Sequence, residues 1–168
     1  NAATAPAPAP DAKAAAESGP LPPLPATKGT EAQLQVDSVR VARAVAAKFP
    51  QIQTIGGWRA GGGPVGDHPE GRAVDFMIPN YTSQDGIALG DEINKYVLDN
   101  KDFFHVEYTI WRQQYFPAVG APSTMGDRGT PTENHFDHVH VTVVGGGAPK
   151  GNEVYTAPGV NGLSLIHI

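Results

Sequence analysis

The sequence of 168 residues contains no cysteine. This absence excludes thiolate metal sites, cysteine nucleophiles and disulfide bonds, so a bound metal would have to use histidine and carboxylate ligands. A run of about 18 consecutive apolar residues, as a membrane-spanning helix requires, is also lacking. We therefore expect no membrane span.

An excess of positive charge is absent too, because 12 Lys and Arg residues stand against 17 Asp and Glu residues, for a net charge of -5. Proteins that bind nucleic acids or anionic membranes draw on a basic surface. We therefore predict no nucleic-acid partner. The length suits one domain of modest size, and we expect that domain to be a monomer.

The N-terminal residues 1–29 consist mostly of Ala and Pro and offer few large apolar side chains. Such a segment cannot bury enough apolar surface to offset the entropy lost on ordering, so we predict a disordered, dispensable tether. The chain begins without Met and without a charged and then apolar leader. We expect either a processed protein whose export signal has been removed or a fragment. Residues 149–168 form a C-terminal tail of unassigned role.

The spacing of apolar residues predicts two helices. Thr30, with Gln33 three residues later, has the pattern of a capping box ahead of a helix that ends before Pro50. Ser83 is the predicted N-cap of a second helix, which ends near Asp99.

Four segments have the composition of strands, namely residues 51–55, 73–78, 104–110 and 138–144. In the third, Tyr108 and its apolar neighbours two residues away are expected to face the core. The segment 113–136, rich in Gly, Pro, Ser and Thr, is predicted to be a long loop beside a functional site. Together these segments predict an α+β domain with a small central antiparallel sheet flanked by helices.

The first candidate functional cluster contains three of the six histidines within residues His135–His140. Residues two apart on a strand project from the same face, about 7 Å apart. His138 and His140 would therefore lie side by side, while Val139 and Val141 point into the core. A polar strand face in solvent is the alternative, but it leaves the second cluster unexplained.

The second cluster centres on Asp75, which interrupts the apolar run of residues 73–78. A buried carboxylate needs a partner, because burial disfavours its ionised form. One alternative is an ion pair with Arg72, although a residue three positions away on a strand points to the opposite face. The other is a metal ion shared with His68 and a strand histidine. Two histidines and one carboxylate leave a position open for water, as catalytic zinc requires.

These two clusters resemble the motifs of the LAS metallopeptidases (lysostaphin, D-Ala-D-Ala carboxypeptidase and sonic hedgehog type). The stretch HPEGRAVD at residues 68–75 matches the HxxGxAxD motif of the D-Ala-D-Ala carboxypeptidase-like branch. The stretch DHVH at residues 137–140 matches its second motif, an acidic residue three positions before the last zinc-binding histidine. The resemblance covers roughly residues 30–145 and implies a small antiparallel sheet with the metal site on its face.

The resemblance also implies roles for individual residues. One Zn²⁺ would be bound by His68, Asp75 and His140. Asp137 would act as the general base towards a water whose pKa the metal lowers to about 7, and His138 would line the site.

Other positions near the motifs are more open. Arg59 lies where the branch often keeps an arginine that stabilises the developing oxyanion, although a surface arginine is the alternative. Gly66 replaces a serine that commonly contacts substrate, so substrate contacts are expected to differ. We expect His135 and Glu133 to be plain loop residues and Trp111 to be a core residue.

We therefore expect residues 30–148 to form a zinc peptidase that cleaves bacterial peptidoglycan stem peptides or cross-links, as a carboxypeptidase or an endopeptidase. It would be secreted or held in the bacterial cell envelope. One alternative is a non-catalytic, zinc-containing module of the same fold that binds the cell wall. Another is a non-haem Fe(II) enzyme, because the ligand types alone do not determine the metal. The acidic Asp137 favours hydrolysis over both.

Overall fold

The computed structural model describes residues 20–61 and 66–160, which form three helices and six strands. The helices are α1 (Val36–Lys48), α2 (Gln84–Asp99) and α3 (Lys101–Phe104). The strands are β1 (Ile55–Gly56), β2 (Ala73–Met77), β3 (Val106–Trp111), β4 (Gln114–Pro117), β5 (Ser123–Thr124) and β6 (His138–Val143). All neighbouring strands are antiparallel, in the order β1-β2-β6-β3-β4-β5. The predicted α+β class is confirmed.

The centre of the sheet, strands β2 and β6, has one apolar face and one polar face. Because successive side chains on a strand point to opposite sides, the three valines of β6 and Val74 and Phe76 of β2 share one side. These side chains are fully buried and belong to the same core as the apolar residues of α1 and α2. Burial of each large apolar side chain contributes about 1.5–3 kcal/mol. The opposite face is left free for polar residues.

Of the two predicted helix N-caps, one is confirmed and the other is wrong. Ser83 is the N-cap of α2, and its side chain accepts a hydrogen bond from the Gly86 amide at 3.0 Å, as predicted. The predicted capping box at Thr30 is wrong, because α1 begins only at Val36. Gln33 has a left-handed φ of 62°, which a right-handed helix cannot include.

The segment predicted to be a loop, residues 113–136, contains strands β4 and β5. A two-residue turn at Arg112 and Gln113 connects β3 to β4, and both residues have positive φ. Such hairpin turns usually contain Asn or Gly. The sequence at this turn therefore carried no recognisable signal for a hairpin.

The side chains of β3 from Tyr108 onward point to the opposite side of the sheet from the one predicted. The pairing of β3 with β6 shifts register between Val106 and Tyr108, and such a bulge reverses the alternation of the side chains that follow it. Thr109 and Trp111 are therefore buried on the core side, whereas Tyr108 and Ile110 line the opposite side. The prediction that Trp111 is a core residue is confirmed.

Segments outside the predicted domain of residues 30–148 pack against it. Leu21 is 3% exposed, belongs to the core and donates its amide hydrogen to the Tyr155 carbonyl at 2.7 Å. Tyr155 and Val160 are core residues as well. The folded unit thus extends further in both directions than composition suggests, since a few apolar anchors suffice to hold a Pro-rich segment.

Three parts of the sequence predictions lie outside the described residues. They are most of the predicted tether (residues 1–19), part of the glycine-rich approach to the first motif (residues 62–65) and the apolar end of the chain (residues 161–168). Within the described residues, no helix is long and apolar enough to cross a bilayer.

Candidate metal centre

Three buried side chains meet on the polar face of the sheet. Asp75 on β2 lies directly opposite His140 on β6 in the strand register, and His140 Nδ1 is 2.9 Å from Asp75 Oδ1. His68, from the turn before β2, places Nε2 3.3 Å from Asp75 Oδ2. One potential ligand atom from each residue lies within 4.8 Å of the others, so the group could hold a metal ion.

The turn that carries His68 depends on Gly71. Its φ is +75°, and a Cβ atom at this position would lie 2.2 Å from the Gln33 carbonyl oxygen. Only glycine allows this close approach of the two backbones. The glycine of the first motif therefore has a structural reason, which is to let the turn before β2 pack tightly on the segment before α1.

The ring of His68 has a defined tautomer. Its Nδ1 is 3.0 Å from the carbonyl oxygen of Gly57, and because a carbonyl only accepts, Nδ1 carries the hydrogen. In the neutral ring Nε2 then bears a lone pair; this atom is buried, lies 3.3 Å from Asp75 Oδ2 and makes no hydrogen bond within residues 20–61 and 66–160. A buried lone pair beside a carboxylate is unfavourable without a positive charge between them. This orphaned atom fits a metal ligand.

Asp75 is held in its ionised form. Burial raises the pKa of its carboxyl, but the contacts with the His140 and His68 rings and the electrostatic influence of His140 and His138 outweigh burial and bring the pKa well below its ordinary value. Arg59 Nη1 lies 3.2 Å from Asp75 Oδ2. An anionic oxygen ligand is therefore available at neutral pH.

The alternative ion pair between Arg72 and Asp75 does not form. The guanidinium of Arg72 instead contacts three other carboxylates, those of Asp67, Glu70 and Glu107, at 2.8 to 3.0 Å. Arg72 points away from Asp75, as its odd spacing along the strand predicts.

Asp137 and His138 form a hydrogen-bonded pair beside this group. Asp137 Oδ1 lies 2.7 Å from His138 Nδ1, and its Oδ2 accepts a hydrogen bond from the Thr132 hydroxyl at 2.7 Å. Burial raises the pKa of Asp137, but these two hydrogen bonds outweigh it and bring the pKa below its ordinary value. His138 Nε2 is 3.7 Å from Asp75 Oδ1. His138 lines the cleft, whereas Asp137 stands behind it.

A cleft of about 900 Å³ lies over this group, at the upper end of the range for ligand sites. Its lining includes His68, His138, His140, Asp75 and Arg59. The predicted roles, with His68, Asp75 and His140 as metal ligands and Asp137, His138 and Arg59 as catalytic residues, stay predictions. The structure nevertheless places each of these side chains at the cleft or in contact with a residue that lines it.

Two residues expected to be plain loop positions, His135 and Glu133, also line the cleft. The His135 ring is 4.6 Å from that of His138 and 5.6 Å from that of His140. Burial and the neighbouring histidines lower its pKa to about 4, so His135 is neutral at pH 7. Its position two residues before the DHVH motif is the signal that the sequence offers.

Two tyrosines on the cleft were missed as well. Tyr108 and Tyr115 both line it, with ring centroids 5.0 Å apart. The alternation of residue types predicts that Tyr108 faces the core, because it does not reveal the bulge in β3. Tyr115 lies on β4, a strand that was not predicted.

A family model described as "VldE, C-terminal domain" matches residues 30–136, which is more than half of the chain. The matched stretch includes the turn with His68 and strand β2 with Asp75, and it ends just before the residues that lead into β6. No curated protein and no solved structure matches the chain.

Proposed function

The chain belongs to the family of VldE C-terminal domains, and from the group of residues on its polar sheet face we propose that it is a zinc-dependent peptidase. The observation that carries the proposal is the orphaned, buried lone pair of His68 Nε2 beside an ionised Asp75 and the His140 ring. We further propose peptidoglycan stem peptides or cross-links as substrates, in the secreted or envelope setting where they occur. This part rests on the two motifs that resemble those of LAS peptidases.

The donor set suits zinc, although imidazole nitrogens with one carboxylate oxygen can also bind iron. His68, Asp75 and His140 would hold the ion. When bound in such a site, zinc lowers the pKa of a water ligand towards about 7 and polarises a carbonyl group. The residues around the group must then accept a proton, deliver it and stabilise negative charge.

His138 is placed to move the proton. Because the Asp137 carboxylate only accepts hydrogen bonds, His138 Nδ1 carries a hydrogen and its Nε2 holds the lone pair on the cleft side. In the proposed reaction Nε2 takes a proton from the attacking water and returns it to the leaving amine. Asp137 orients the ring and stabilises its cationic form. The base predicted at Asp137 thus acts through its neighbour.

Arg59 supplies positive charge at the same place. Its side chain is 56% exposed, lines the cleft and contacts Asp75. A guanidinium at this partly exposed position can stabilise an oxygen on which negative charge develops in the cleft, which lowers the barrier. A module that only binds the cell wall would need neither this arginine nor the Asp137–His138 pair, and for that reason catalysis is the function we favour.

The test is digestion of purified peptidoglycan sacculi by the zinc-loaded protein, with the released fragments identified by mass spectrometry. We expect fragments with a newly cleaved peptide bond, and their structure distinguishes a carboxypeptidase from an endopeptidase. His140→Ala should release none, whereas His105→Gln, which changes a histidine outside the cleft, should behave as wild type. Zinc-loaded wild-type protein that leaves both sacculi and synthetic stem peptides intact would contradict the proposal.

A further inference from the structure

The carboxylate of Asp67 lies buried next to the proposed metal group and has no role in the mechanism above. We propose that Asp67 and Thr142 form a hydrogen-bond relay that fixes the tautomer of His140, so that Nδ1 is its metal-binding atom. The relay rests on the metal centre of the proposed function. It makes Asp67 and Thr142 positioning residues, which do not themselves contact the metal or the substrate.

The direction of each hydrogen bond follows from the groups involved. The guanidinium of Arg72 can only donate, and its Nη2 lies 2.9 Å from Asp67 Oδ1, so the Asp67 carboxylate accepts there. The Thr142 hydroxyl donates its single hydrogen to Asp67 Oδ2 at 3.0 Å. Its oxygen, 2.7 Å from His140 Nε2, must then accept, and Nε2 carries the hydrogen.

The consequence lies at the other ring nitrogen. Nδ1 lies 2.9 Å from Asp75 Oδ1 and donates to that carboxylate in the absence of metal; a bound metal would take the place of this hydrogen, and with hydrogen retained on Nε2 the lone pair of Nδ1 would serve the metal. The relay therefore directs this lone pair into the group of potential ligands. His68 is held in the opposite tautomer, because the Gly57 carbonyl takes the hydrogen of Nδ1 and frees Nε2.

The fold places all members of the relay in contact. His140 and Thr142 are two residues apart on β6 and share the polar face, and Tyr108 lies opposite Thr142 on β3. The hydroxyl of Tyr108 also donates to Asp67 Oδ2. Asp67 directly precedes His68, so one turn supplies both a proposed ligand and the group that orients another ligand.

A purely structural role for Asp67, as the partner that holds Arg72 in the turn, makes a different prediction. If Asp67 had only that role, its loss would lower the stability of the fold and leave the affinity for metal in the folded protein unchanged. Removal of a partner that orients a ligating histidine typically costs about 10- to 100-fold in metal affinity. Affinity in the folded protein therefore separates the two roles.

The first test measures the dissociation constant for Zn²⁺ by competition with a chromophoric chelator, using the full chain. Thr142→Val keeps the shape but removes the acceptor, and we expect binding about 10- to 100-fold weaker. Thr142→Ser should restore the affinity to within a few-fold. The matched control is Thr109→Val, which removes another fully buried threonine hydroxyl, on the core side of β3, and should leave the affinity unchanged.

A second pair of variants separates affinity from stability. Asp67→Asn should weaken Zn²⁺ binding. Asp37→Asn neutralises another buried carboxylate, which also contacts an arginine and a histidine but lies away from the cleft, and it should lower only the melting temperature. Equal affinity in wild type, Thr142→Val and Asp67→Asn, all folded, would overturn the relay.

A measurement on the wild type covers variants that fail to fold. Long-range ¹H–¹⁵N spectra of the zinc-loaded protein should show hydrogen on Nε2 of His140 and on Nδ1 of His68. Hydrogen on Nδ1 of His140 would overturn the relay. Neither test uses a substrate: a protein that passes both but leaves sacculi intact contradicts the peptidase, and an active peptidase that fails them contradicts the relay.

Discussion

The two faces of strand β6 place opposite demands on the sequence. Val139, Val141 and Val143 are fully buried on one face and pack in a shared core. His138, His140 and Thr142 on the other face each have a defined polar partner. Apolar packing tolerates substitutions of similar volume, whereas a group that depends on the direction of a lone pair does not. One strand therefore carries replaceable residues on one side and irreplaceable ones on the other.

The largest effect is expected from a substitution at the centre of the polar face. His140→Ala should lose bound metal and activity, because only two of the three proposed ligands remain. Elemental analysis of protein purified without chelators should find about one zinc per wild-type chain and none in this variant. On the opposite face, Val141→Ala should destabilise the fold by about 1–3 kcal/mol and keep its zinc. Stoichiometric zinc in a His68→Ala/His140→Ala double variant would show that these residues do not form the zinc site.

The next effect separates proton transfer from metal binding on the same face. Asp137→Asn and His138→Ala should each keep the zinc and lower kcat by about 10²-fold or more, as expected for loss of a general base. Because the two residues act as one unit, the double variant should be no slower than the slower single variant. Near-normal turnover in His138→Ala would show that Asp137 acts without its neighbour. Near-normal turnover in Asp137→Asn would show that Asp137 has no part in the mechanism.

A smaller effect is expected at the exposed edge of the cleft. Arg59→Lys retains the positive charge but loses the planar guanidinium, and kcat and kcat/KM should fall together by about 10-fold. The zinc content should not change. Steady-state kinetics on a synthetic stem peptide measure both parameters. A change confined to KM would instead place Arg59 in the binding of the substrate's ground state.

The smallest effect concerns packing far from the polar face. A chain that starts at residue 20 should melt within about 2 °C of the full chain, because composition predicts that residues 1–19 bury little surface. A chain that starts at Thr30 also loses the buried Leu21 and should be less stable by about 1.5–3 kcal/mol. Calorimetry distinguishes the two. Equal stability of the two truncated chains would mean that the Leu21 contacts contribute nothing.

The sequence predicted the polar face of β6 better than the elements around it. The alternation of histidines and valines at residues 138–143 and the carboxylate inside an apolar strand both depend on local periodicity, which a sequence records directly. The predicted start of α1 at Thr30 failed because the left-handed Gln33 lies against the distant Gly71. Contacts between remote segments leave no periodic signal.

The same reason accounts for what was missed in the cleft. The orientation of Tyr108 depends on a bulge formed only when β3 pairs with β6. The role of Asp67 becomes visible only when Thr142, far along the chain, is placed beside it. Residue types and spacing thus indicated a site of histidines and a carboxylate, the resemblance to the LAS motifs implied the three proposed ligands, and the residues that orient those ligands required the three-dimensional structure.

The central claim, that His68, Asp75 and His140 hold one zinc ion on the polar face of the sheet, is tested most directly by anomalous diffraction from crystals of the zinc-loaded protein at the zinc absorption edge. The account predicts one strong anomalous peak bounded by His68 Nε2, the Asp75 carboxylate and His140 Nδ1. Density for zinc elsewhere on the chain, with none among these three residues, would contradict it.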